Sequence, residues 1–168
     1  MKMTKNFVGL SLAFLLLSGS ASAQIYRLDD SSSAQRRVEA RYVTNEFGTS
    51  LAETSSANFM FLKFGLVQYR LATSAYKGQK AKIYYVIPLF IEGLQNPQAL
   101  TVTWKGNRLL ADGAGHAGER QLVWSGTVTE DWMQDEIDLE MQVELAQLRL
   151  REGQGFGFES YFEIETNE

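Results

Sequence analysis

The chain has 168 residues, with 16 Lys and Arg against 20 Asp and Glu, no cysteine and one histidine. Without cysteine there can be no disulfide, no thiolate nucleophile and no Cys-based metal centre. The acidic balance, with no basic stripe to override it, makes nucleic acid and anionic membrane surfaces poor partners.

The first 23 residues have the form of an export leader. Lys2 and Lys5 precede an apolar run, 7–17, that is too short to span a bilayer comfortably. Small residues follow, with Ala21 and Ala23 in the positions that a signal peptidase reads. Cleavage after Ala23 is expected to leave 24–168 as one periplasmic or extracellular domain with no membrane span. That segment holds 14 basic and 20 acidic residues, since Lys2 and Lys5 leave with the leader. A domain of this size buries roughly 68% of its unfolded surface and needs no covalent staple.

In chain order, 24–34 is polar and reads as a flexible entry segment. Val38, Ala40 and Tyr42 alternate with Arg37, Glu39 and Arg41, as in a half-buried strand. The stretch 45–58 is rich in Ser, Thr, Asn and Gly and reads as a loop with one helical turn. The run 58–71 is apolar at both parities. Phe59, Phe61, Gly65 and Val67 fall on one face and Met60, Leu62, Phe64 and Leu66 on the other. A strand of that kind is covered on both sides or offers a partner site.

After a turn at 76–80, the stretch 83–91 (IYYVIPLFI) reads as a second uncharged strand. Ile83, Tyr85, Ile87, Leu89 and Ile91 would share one face, and Tyr84, Val86, Pro88 and Phe90 the other. Pro88 cannot donate a ladder hydrogen bond, so the strand is expected at a sheet edge or bulged near that residue. An open edge invites another chain to pair with it. Tyr84, Val86, Pro88 and Phe90 are therefore the candidate partner-binding residues.

Beyond a turn at 93–98, Leu100, Val102 and Trp104 alternate as a strand that 108–111 could pair back upon. The glycine-rich 112–118 reads as a mobile loop. Leu122, Trp124, Gly126 and Val128 mark another strand, and Trp132 follows in a polar turn. Ile137, Leu139, Met141, Val143 and Leu145 alternate with Asp138, Glu140, Gln142 and Glu144. This predicts a strand over 135–145, although a helix over 136–150 shares some of its apolar spacing. A turn at 146–152 leads to a last core strand carrying Phe156, Phe158, Phe162 and Ile164. About eight strands with few helix signals predict an all-β chain. The expected fold is a single antiparallel β-sandwich, jelly-roll-like or immunoglobulin-like.

The motifs that suggest chemistry lack their contexts. "GAGHAG" (113–118) matches a dinucleotide-binding fingerprint, but strand periodicity rather than a helix follows it. His116 has no serine in a nucleophile-elbow setting. Asp138, Glu140 and Glu144 diverge along one strand face, whereas calcium takes a cage of oxygens. No catalytic residue, metal site or cofactor is expected. Trp104 and Trp124 read as core, while Trp132, with His116 in its loop, is the candidate ligand-binding pair.

The general pattern is similar to exported bacterial sandwich proteins, fimbrial subunits among them. That resemblance implies a sheet completed by a neighbour's strand. This chain departs from them in having no cysteine pair, no clear alternating donor strand at 24–34 and a polar C-terminal end, so no residue roles carry over. The leading expectation is a non-enzymatic cell-envelope protein that binds a protein partner or assembles with copies of itself. The alternative is a carbohydrate- or small-ligand-binding module.

Overall fold

The computed structural model describes residues 23–33, 42–53, 56–152 and 154–167. Nine strands form: β1 (Ala23–Arg27), β2 (Tyr42–Thr44), β3 (Phe59–Ala72), β4 (Lys80–Val86), β5 (Leu100–Gly106), β6 (Gly113–His116), β7 (Arg120–Thr127), β8 (Trp132–Glu144) and β9 (Tyr161–Asn167). They make two antiparallel sheets packed together, a β-sandwich. One has the order β1-β9-β4-β7 and the other β2-β3-β8-β5-β6. Among the described residues there is no α-helix, and no helix long and apolar enough to cross a membrane. The expected leader, 1–23, lies almost wholly outside the described residues, as does the expected strand before Tyr42.

Alternating residues from both sheets fill the interior. Val67, Tyr69 and Leu71 of β3, Ile83 and Tyr85 of β4, Trp104 of β5, Ile137 and Val143 of β8, and Phe162 and Ile164 of β9 are all buried. Aromatic rings join the sheets, with centroids 4.7 Å apart for Tyr85 and Trp104 and 4.9 Å for Tyr69 and Phe162. Ring pairs at these separations and tilts contribute beyond their buried area. The strand expected over 135–145 is present as β8, followed by a single 3-10 turn, Leu145–Gln147. The helical turn expected in the 45–58 loop is present at Leu51–Glu53.

Several expectations need correction. β4 is not an edge strand, because β9 and β7 pair with it on either side. It ends at Val86, so Pro88 lies beyond the ladder, where no N–H is required. The irregularity in its pairing falls at Ile83/Tyr84 rather than at residue 88. That bulge leaves Val123 as the extra residue of β7. Val123 is therefore 2% exposed while Leu122 is 49% exposed, the reverse of the expected face.

The 24–34 segment is not wholly an entry tail, since β1 pairs with β9 in register from Ala23↔Asn167 to Arg27↔Glu163. Nor is 112–118 a free loop. Gly113–His116 forms β6 and pairs with β5. A Cβ on Gly113 would come within 2.4 Å of the Trp104 ring, so the glycine serves close packing there.

The apolar doubling of β3 also has a local cause. The register against β8 shifts between Lys63 and Gly65, and Gly65 takes φ of 72°. Met60, Leu62 and Phe64 are buried before the bulge, and Val67, Tyr69 and Leu71 after it. One extra residue switches the parity that faces the core, so both parities must be apolar somewhere along the strand.

Candidate functional site

Where β4 stops, the chain makes a short excursion held at both ends. Ile87 is fully buried, its N–H donates to the Glu119 carbonyl, and its own carbonyl accepts from Gly118. Ile91 is buried on the far side. Gln95 N–H then donates to Gln147 O, Arg149 N–H to Gly93 O, and Leu94 bridges Leu148. Between these anchors Pro88 is half-buried, Leu89 is 67% exposed and Phe90 is 88% exposed. Two large apolar side chains thus stand in water on a clamped loop rather than on a frayed one. Covering a phenylalanine would contribute about 1.5–3 kcal/mol, so such a tip favours any surface that can bury it.

The other candidate partner-binding residues are not open in the same way. Val86 is 7% exposed. The Tyr84 ring is half-buried beneath the Arg120 guanidinium, whose carbon lies 3.4 Å from the ring centroid. Arg120 in turn donates from Nε to Glu163 at 2.8 Å and from Nη1 and Nη2 to Glu165 at 3.3 Å. Lys82 Nζ also reaches Glu165, at 3.4 Å. Desolvation raises the Glu165 pKa, but hydrogen bonds from Arg120 and Lys82 outweigh it and hold the carboxyl below its ordinary value. This cross-strand cluster is self-satisfied. It explains Tyr84 as packing under a cation rather than as a free contact.

The ligand-binding pair is divided by the fold. Trp132 opens β8 opposite Ala72, with the Arg70 guanidinium 4.4 Å above its ring. His116 lies opposite Thr101, which is itself opposite Gln142 near the other end of β8. Ten residues of strand, about 33 Å, separate those positions. No small ligand could touch both. His116 Nδ1 is 2.9 Å from the Leu100 carbonyl, which can only accept, so that nitrogen carries the proton. Its backbone N–H donates to Glu119 Oε2 at 3.0 Å, and that bond comes first among those lowering the Glu119 pKa.

Of the acidic row on β8, Glu140 pairs with Lys63 at 3.4 Å. Among the described residues no three His, Asp or Glu side chains gather as a metal site.

Sequence reading missed Asp135. Its carboxylate is buried at an inward position of β8 and accepts four backbone N–H groups. These come from Arg108, Leu109, Leu110 and Glu136, the closest at 2.8 Å. Burial alone would raise its pKa, but these donors outweigh it, and the pKa lies below the ordinary value. Asp135 therefore shapes the 107–110 turn and fixes the backbone of Arg108. Its signal was a charge at the same parity as Met133 and Ile137.

Comparison with protein-family models, with curated proteins and with solved structures finds no match.

Proposed function

We propose that the chain is an exported, non-enzymatic cell-envelope protein that binds a protein partner, or a second copy, through the loop tip at Leu89–Phe90. In this reading the leader 1–23 is removed. The mature sandwich, jelly-roll-like or immunoglobulin-like, works in the periplasm or outside the cell. The observation that carries it is the 88% exposure of Phe90 beside exposed Leu89, on a loop anchored by buried Ile87 and Ile91. Cleavage after Ala23 would keep Gln24–Arg27 paired with β9, so processing and folding are compatible. Of the four residues singled out from sequence, Phe90 carries the contact, while Tyr84, Val86 and Pro88 support the strand end behind it.

The test replaces Phe90 with Ser in the tagged, exported protein and measures recovery of co-purifying envelope proteins and the sedimentation coefficient. Phe90→Ser is expected to cut partner recovery, or self-association, by about tenfold or more. Thermal stability should not change, because the side chain buries almost nothing in the monomer. Unchanged recovery and unchanged assembly would remove the proposal.

A further inference from the structure

A second feature stands apart from the loop tip and does not rest on the partner-binding reading. A depression of about 220 Å³ lies along the pairing of β3 and β8. Ser32, Gln68, Arg70, Arg108, Gln134 and Glu136 line it. The strand register places Gln68 opposite Glu136 and Arg70 opposite Gln134. The volume is below the roughly 300 Å³ at which drug-sized sites begin, so it suits a ligand of about one ring.

The hydrogen-bond inventory of this depression is unbalanced. Its acceptors are engaged: Glu136 Oε1 takes a bond from Gln68 Nε2 at 2.6 Å, and the Asp135 carboxylate beneath is filled by backbone donors. Its strongest donors are not. Among the described residues, neither Arg70 nor Arg108 has a carboxylate partner within ion-pair distance. Arg70 stacks on Trp132, which restrains the plane of its guanidinium and lowers the entropy lost when its fork engages a ligand. Arg108 is fixed at its backbone by Asp135. Two restrained forks lack acceptors, and two amides and a hydroxyl surround them. That set matches a ligand with one carboxylate and several hydroxyls.

We infer that this depression binds an acidic monosaccharide, a hexuronate, with its carboxylate on Arg70 and Arg108 and its hydroxyls on Gln68, Gln134 and Ser32. For a ligand of about a dozen non-hydrogen atoms at an exposed site, the dissociation constant should be on the order of 1 mM.

Isothermal titration of the exported protein with glucuronate, glucose and acetate tests it, with Arg70→Gln/Arg108→Gln as the variant. Both arginines are exposed, so the double variant should melt with the wild type. Glucuronate should bind saturably, with glucose and the double variant each about tenfold weaker or more and acetate showing no saturable heat. The methyl glycoside of glucuronate, titrated alongside, distinguishes sources. Equal binding marks a glycan terminus and preference for the free sugar marks a monosaccharide, and either supports the site. Absence of a saturable signal with glucuronate, equal binding of glucose or acetate, or full binding by the double variant would each overturn the inference.

Discussion

At the residue scale, Asp135 is the group on which the most backbone depends. Four N–H donors converge on one buried carboxylate, and replacing it by Ala would leave several of them without acceptors. We expect Asp135→Ala to cost about 2–4 kcal/mol in chemical denaturation, with Asp135→Asn losing less because the amide keeps one acceptor. The pH dependence has a definite sign. The folded pKa is lowered, so the unfolded chain binds the proton more tightly. The stabilisation is full above the unfolded value, near 3.9, and is lost as pH falls through the lower folded value. Wild type should therefore lose more stability than Asp135→Asn between pH 5 and the acid limit, and parallel acid profiles for the two would contradict this role. Asp135 was legible in principle, as a charge on the apolar parity of β8. Arg70, Gln68 and Arg108 were not, since only the register of β3 on β8 and the turn after β5 bring them together.

At the element scale, single residues decide which face a strand shows. β3 read as apolar on both faces because one parity is buried before Gly65 and the other after it. Nothing in the composition marks that switch except the glycine itself. At φ of 72°, alanine would meet the left-handed penalty, so Gly65→Ala should cost about 1–2 kcal/mol. A neutral substitution there would contradict the bulge. Gly113 makes a different demand. Its missing side chain admits the Trp104 ring, and Gly113→Ala should cost about 1–3 kcal/mol by overpacking. Tryptophan fluorescence and urea midpoints would report both. β8 was legible from its period-two pattern because it contains no bulge, and β9 because its buried Phe162 and Ile164 alternate cleanly. β4 was misjudged only in extent and position. Its proline signals a stop rather than an edge, and the exposure of Leu89 follows from that stop.

At the scale of the whole molecule, the two sheets share one aromatic core, and their order leaves β1, β7, β2 and β6 at the edges. β1 covers β9, the strand that carries Phe162 and Ile164 into that core. Removing residues 24–27 would bare that edge. The truncated domain should melt lower, by about 2–4 °C for each kcal/mol lost, and should associate as its concentration rises. An unchanged melt would show β1 to be dispensable. The all-β class and the two-layer plan were legible because strand periodicity dominates the sequence. Strand order was not, because it depends on pairings far apart in the chain, such as β1 with β9. A sandwich closed in this way leaves the Leu89–Phe90 tip as its most exposed pair of adjacent large apolar residues. The most direct test is photo-crosslinking in the intact cell envelope from a reactive residue placed at position 90, with position 66 as an exposed apolar control on β3. A discrete adduct from 90 and none from 66 is the predicted result. Failure of position 90 to give any adduct, or identical adducts from both positions, would contradict the account.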